Sequence, residues 1–314
     1  MSSGSDNARW FRPAGTLATD TADVVVNDSI EGWAHTGLIV LTLGPGESAG
    51  HDLGDREAVV VPLSGAVTAE VDGATIPLAG RPDVFTAATD VLYAPPGSRV
   101  TLAAAAETGV SRVALTLAAV PTGAASPPVC HLSATEVPVE LRGAGSASRL
   151  VRNFGIPGVL DASRIIVCEV VTPSGNWSSW PPHKHDEERP GEETELEEIY
   201  YFEARGVDER ALDPVGYHRV YGSAQRPIDV LTEVRSGDVV LVPHGWHGPS
   251  VAAPDADLYY LNVMAGPGAE RAWRICDDPA HGWVRESWDA LPGDPRLTDT
   301  RLTGTRLTGT QGRT

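Results

Sequence analysis

Between residues 10 and 120 the apolar positions come in short runs separated by turn-forming residues. Residues 37–43, 58–61, 67–71, 91–94 and 113–117 are rich in Val, Ile, Leu and Thr, and pairs such as Asp72-Gly73 and Pro96-Gly97 separate them. Almost no stretch repeats its apolar residues at helical spacing. Short, β-branched runs with closely spaced turns predict an all-β sandwich or barrel. A second series follows in residues 149–154, 164–171, 199–202, 218–221, 239–242 and 258–263. Residues 121–128 between them are small, proline-rich and aperiodic, the composition of a boundary. The predicted organisation is a disordered N-terminus over 1–9, a β domain over 10–120, a linker over 121–145, a second β domain over 146–290 and a disordered tail over 291–314. The tail repeats Arg-Leu-Thr every five residues and has too little apolar content for a core.

Charge narrows the partners. With 42 acidic against 24 basic residues the chain carries a formal charge of −18, which repels phosphate backbones and anionic lipid, so neither nucleic acid nor membrane is expected as a partner. A small-molecule substrate suits it better. No apolar run approaches the ~18 residues of a membrane span, and residues 1–7 lack the basic start and apolar core of an export signal, so a cytoplasmic location is expected. Cys130, Cys168 and Cys276 are scattered and read as reduced thiols.

The densest chemistry lies in residues 180–247. Pro181-Pro182-His183-Lys184-His185 places two histidines one residue apart, and on extended backbone they share a side. Leu196-Glu197-Glu198-Ile199-Tyr200-Tyr201-Phe202 supplies a carboxylate, and Pro243-His244-Gly245-Trp246-His247 a third histidine. Three imidazoles and a carboxylate hold a divalent transition metal while leaving coordination positions open. Glu197 and Glu198 face opposite sides of a strand, so only one of them can join the set.

The two series are related. Glu198 precedes Gly206 as Glu57 precedes Gly65, Pro243-His-Gly245-Trp-His247 answers Pro95-Pro-Gly97-Ser-Arg99, and His183-Lys-His185 answers His51-Asp-Leu53. Matched landmarks in one order indicate an internal duplication. By this register Glu198 is the metal carboxylate, with Tyr200 and Phe202 on its face. The first half offers His51, Leu53, Glu57 and Arg99 at the four positions, and leucine and a guanidinium do not ligate a cation. A metal is expected in the second domain only, the first being a scaffold, a pocket wall or the surface of a homo-oligomer.

These landmarks resemble the cupin superfamily, whose motifs appear here as Gly175, His183-x-His185, Glu198, Gly206 and then Gly237, Pro243-x-Gly245, His247. The resemblance implies a bicupin, a tandem of two β-barrels. Twelve residues separate His185 from Glu198 where simple cupins have about four, which adds an acidic loop at the site; that loop is expected to be mostly solvated, with Lys184 and His244 exposed. Longer motifs narrow the resemblance. Residues 175–186, 196–201, 219–221, 237–247, 258–267 and 277–281 are similar to 5-deoxy-glucuronate isomerases of inositol catabolism, relatives of the 5-keto-4-deoxyuronate isomerases.

What this implies is an aldose–ketose isomerase converting 5-deoxy-D-glucuronate to 5-dehydro-2-deoxy-D-gluconate with Zn²⁺ or Mn²⁺ at His183, His185, Glu198 and His247. An isomerase of another deoxy-uronate, an iron-dependent cupin oxygenase and a sugar-binding bicupin without catalysis are the alternatives. For the substrate carboxylate and catalysis Arg219 is the first candidate, because a guanidinium grips a carboxylate bidentately. Tyr260 and Asn262, polar residues on one face of an apolar strand, are candidate substrate contacts together with Tyr200, and Tyr260 is the further catalytic candidate.

Overall fold

The computed structural model describes residues 4–105 and 109–298. Two β-barrels stand side by side. In the first, the strand Arg56–Val71 runs through both halves of the barrel. Its start pairs with Ser111–Ala119 and Val91–Ala94, and its end with Ala74–Arg81 and Arg99–Ala104. A bulge between Pro62 and Ser64 lets one strand turn the corner, because an extra residue bends the strand and increases its twist. The second barrel sets one sheet, centred on Glu197–Gly206, Ala256–Ala265 and Ile166–Thr172, against another built on Gly216–Tyr221 and Trp246–Ala252.

The barrel interiors differ in kind. Leu53, Ala58, Val60, Leu92, Leu102 and Leu115 fill the first with aliphatic side chains. The second interior carries histidines, tyrosines and a glutamate on the corresponding faces. Between the barrels, Leu38, Val59 and Val61 of the first pack in one cluster with Ile165, Tyr201 and Tyr259 of the second.

Polar groups also cross this boundary, fully buried. Glu169 accepts hydrogen bonds from Arg81 at 2.6 and 2.7 Å, from Arg152 at 2.7 Å and from Tyr259 at 2.9 Å. Two glutamates tie the domains through backbone. Glu57 accepts from the successive amides of Ser163, Arg164 and Ile165 and from the Tyr93 hydroxyl. Glu197 accepts from those of Ala34, His35 and Thr36 and from the Thr36 hydroxyl. Three consecutive amides on one carboxylate form an anion nest, and each nest sits where a strand enters the facing sheet.

The ends of the chain are more ordered than their composition suggests. Residues 4–9, expected to lack structure, bond to the second barrel: Asp6 donates its amide to Asp229, and Asn7 bonds Leu231 in both directions. Phe11–Arg12 then adds an edge strand to Val239–Val242. Backbone pairing supplies an order that side-chain hydrophobicity does not announce. The expected linker holds two strands, Cys130–Leu132 on the first barrel and Val139–Arg142 on the second, so the crossing itself is confined to the residues between them. Part of the expected tail is placed as well, since Asp294 and Arg296 hydrogen-bond Asn176 and Ser174 and Leu297 is buried. Residues 299–314, which hold most of the repeat, lie outside the described residues, as do 1–3.

Candidate metal centre

His183 and His247 face each other on paired strands, and His185 follows just beyond the end of the first of them. The ligand atoms of the three imidazoles lie within 4.8 Å of one another. The turn that delivers His247 requires Gly245, which has φ +91°, and a Cβ there would meet the Tyr221 carbonyl oxygen at 2.7 Å. Lys184, expected to be exposed, is folded under the acidic loop instead. Its ammonium bonds Asp186 at 2.6 Å and Glu193 at 2.8 Å, and Asp186 also accepts the Gly245 amide at 2.8 Å. The loop is thus partly internal, with Glu193 buried, and it links the His-x-His segment to the turn before His247. His244 is half-buried on the outside of that turn and takes no part in the triad.

Glu198, not Glu197, points at the imidazoles. Its Oε2 lies 3.0 Å from His185 Nε2 and 3.1 Å from His247 Nε2. The register that pairs the two halves differs from the one expected from the landmark glycines. Val242 and Ala94 both precede a Pro-x-Gly turn, and they pair with Glu198 and Ala58 respectively. Glu57 is therefore the counterpart of Glu197, as the twin nests show, and Ala58 is the counterpart of Glu198. Likewise Arg99 points outward, paired with exposed Asp52, whereas Leu53 is internal and His51 half-buried.

The donor set fits a cation. His185 Nδ1 lies 3.1 Å from the Leu196 carbonyl and His247 Nδ1 lies 3.0 Å from that of Gly245. A carbonyl only accepts, so each Nδ1 carries the proton and each Nε2 of the neutral ring presents a lone pair. Those lone pairs face the Glu198 carboxylate, another acceptor, and among the described residues His247 Nε2 has no hydrogen-bond partner of proper angle. A shared cation resolves all of these contacts at once. Burial keeps His183 neutral, with its pKa well below the usual imidazole value.

Around the triad, Tyr200, Tyr260 and Asn262 all face inward and are buried. Ser179 Oγ bridges the two phenols, at 3.4 Å from Tyr200 and 3.2 Å from Tyr260. Burial raises the pKa of both phenols, and the Glu198 charge adds to this at Tyr200, so both stay protonated. Asn262 Nδ2 is buried without a partner among the described residues. His218 joins them unforeseen, tilted against Tyr200 with ring centroids 4.5 Å apart. Its Nδ1 is 2.7 Å from Ser250 Oγ, its Nε2 has no partner among the described residues, and burial holds it neutral with a pKa of about 3.

Arg219 does not reach the site. Strand alternation puts His218 and Val220 inside and Arg219 outside, where it pairs with Asp229 and donates to the Val230 carbonyl at 3.0 Å. Counting alternate residues from Val220 would have selected His218. Arg219→Gln is accordingly expected to leave turnover within about twofold of wild type, checked by steady-state kinetics.

The KduI/IolB family model matches residues 10–284, which is most of the chain. The chain belongs to the KduI/IolB family. A 5-deoxy-glucuronate isomerase of Geobacillus kaustophilus is 38% identical over 258 residues, covering 82% of this chain and 88% of that protein. One from Bacillus subtilis strain 168 is 37% identical over 253 residues, covering 79% and 86%. Among solved structures, an IolB-like protein of Salmonella typhimurium superposes with a TM-score of 0.78 at 31% identity, covering 88% of this chain and 99% of that one. The Bacillus subtilis oxalate decarboxylase superposes at 0.56 with 10% identity, covering 85% and 79%, a likeness of fold alone. The KduI/IolB chain is thus all-β with the tandem cupin architecture expected from its motifs. Among its described residues no helix is long and apolar enough to cross a membrane, and its three cysteines are free.

Proposed function

We propose that this protein is a 5-deoxy-glucuronate isomerase, acting in inositol catabolism, with a divalent metal held by His183, His185, Glu198 and His247. The observation that carries the reading is the inward-facing triad with Glu198, inside the barrel of a chain whose relatives bear that name. When bound, Zn²⁺ or Mn²⁺ supplies a Lewis acid for the carbonyl end of the substrate.

The net reaction moves the hydrogen on C2 to C1 and the proton on O2 to O1. Tyr260 and Tyr200, protonated and joined through Ser179 Oγ, form a line of hydroxyls able to carry a proton between the two oxygens. Asn262 Nδ2 offers a donor, and neutral His218 Nε2 a second polar group, to the remaining hydroxyls. Both are already desolvated, so a substrate that satisfies them gains what an unpartnered polar group loses. The enclosing aromatic walls keep water from the reacting carbons.

Incubating metal-replete protein with 5-deoxy-D-glucuronate is expected to consume the aldehyde proton signal in NMR spectra, and an unchanged signal would overturn the reading. Chelation is expected to stop turnover, with Zn²⁺ or Mn²⁺ restoring it. Tyr260→Phe is expected to lower kcat by roughly 10²-fold or more, the lower range for a proton-transfer group, with metal content unchanged by elemental analysis.

A further inference from the structure

The second barrel contains one cation too many. Arg142 and Arg149 sit opposite each other on the paired strands Val139–Arg142 and Arg149–Gly155. Register places them on the inner face: Arg149 shares a face with Val151, Val151 pairs with Val170, and Val170 pairs with Tyr260. Arg285 comes from the closing segment and shares the Trp288 ring with Arg149, their guanidinium carbons 5.2 and 5.3 Å from its centroid. Two of these arginines have carboxylates. Arg142 is bidentate on Glu140 at 2.9 and 2.7 Å, and Arg285 is bidentate on Asp277.

Arg149 has none among the described residues. It is 4% exposed, and Nη1 donates to the carbonyls of Ala147 at 3.0 Å and Trp180 at 3.3 Å. Carbonyl dipoles do not neutralise a guanidinium, and leaving a buried charge without a counter-ion is strongly destabilising. Burial, and after it the Arg142 charge, brings its pKa down to about 9, so it is still charged at neutral pH. Its field reaches both the metal triad and the phenols, since its charge depresses the pKa of His183 and of Tyr260. In a chain of formal charge −18 a lone internal cation of this kind requires an external anion.

We propose that Arg149 receives the carboxylate of the sugar acid and so sets both the selectivity for uronates and the direction in which the substrate lies, carbonyl end toward the triad. Arg142 cannot serve, because Glu140 already neutralises it. The carbonyls of Ala147 and Trp180 and the Trp288 face hold the Arg149 guanidinium in place before the ligand arrives, and a fixed planar fork favours bidentate recognition.

The proposal rests on the isomerase reading, and the test separates the two. Kinetics would be measured on metal-replete wild type, Arg149→Gln and Arg149→Lys with 5-deoxy-D-glucuronate and with the neutral hexose that carries CH₂OH at C6. Arg149→Gln is expected to raise KM for the uronate on the order of 10²-fold, as for loss of a charge-assisted contact. Its loss on the neutral hexose is expected to be at least about tenfold smaller, and Arg149→Lys is expected to recover part of the uronate KM. Equal losses on both substrates, or a fall in kcat with KM unchanged, would overturn the assignment. Should the glutamine variant fail to fold, the lysine variant and the wild-type preference for uronate over neutral hexose carry the same test. Calorimetry with D-glucuronate separates the remaining cases. Wild type that binds this acid through Arg149 but turns over no 5-deoxy-D-glucuronate sinks the isomerase reading and keeps the anchor. Turnover with a KM indifferent to Arg149 does the reverse.

Discussion

Glu197→Ala and Glu198→Ala, neighbours in sequence, are expected to fail in opposite ways. Without Glu198 the imidazoles of His185 and His247 lose the carboxylate 3.0 and 3.1 Å away. The variant should release its metal and lose on the order of 10³-fold in turnover, while its melting temperature stays within a few degrees of metal-free wild type. Without Glu197 the amides of Ala34, His35 and Thr36 are left in a buried interface with nothing to accept them. Losing a buried charge that satisfies several donors destabilises by about 3–5 kcal/mol. For a chain of this size that is roughly 5–15 °C in melting temperature, with metal binding by the folded fraction intact. Elemental analysis and thermal unfolding of the two variants decide the matter. Loss of metal from the Glu197 variant, or retention by the Glu198 variant, would reverse the assignment of the two carboxylates.

The second large effect lies between the barrels. Glu169→Leu strands the guanidiniums of Arg81 and Arg152 in a dry interface, and a loss of about 3–5 kcal/mol is expected. Replacing all three with Met and Leu together should recover much of it, because the attraction of a buried pair is largely offset by the desolvation of its charges. Acid provides an independent reading. Burial works against the Glu169 carboxylate, but the charges of Arg81 and Arg152 more than offset it and hold its pKa at about 2, below the ordinary value of 4.5. A depressed folded-state pKa means that the contribution is complete above the unfolded value and is lost as pH falls toward 2. Urea midpoints measured from pH 6 downward should fall more steeply for wild type than for Glu169→Gln. Parallel profiles would show that another group controls acid stability.

How much of this is legible in the sequence depends on whether the signal is local. His183-x-His185 and Pro243-x-Gly245-x-His247 declare themselves, because alternation on a strand and a glycine-dependent turn are set by immediate neighbours. The strand series also announces two β domains by its period. Register is different. Gly65 and Gly206 do not occupy equivalent positions on their strands, so counting back from them aligns Glu57 with Glu198, whereas the backbone pairing of Ala58 with Ala94 and of Glu198 with Val242 makes Glu57 the counterpart of Glu197. The chemistry of Arg219 suits a carboxylate anchor, but strand parity gives the inward position to His218. Arg149 carries no motif at all. What marks it is a missing partner, and a missing partner is visible only once the carboxylates of its neighbours have been assigned in space.

The same folding pattern bears on how the protein is made and handled. Asn7 bonds a strand residue 224 positions further along, and Phe11–Arg12 covers the edge of Val239–Val242, the strand that runs straight into Pro243 and the His247 turn. On the ribosome this segment emerges long before its mate and must wait, unpaired, through the synthesis of an entire barrel. In the finished molecule, trimming or fusing the chain near Phe11 would bare a strand edge and loosen the base of a histidine more than two hundred residues away.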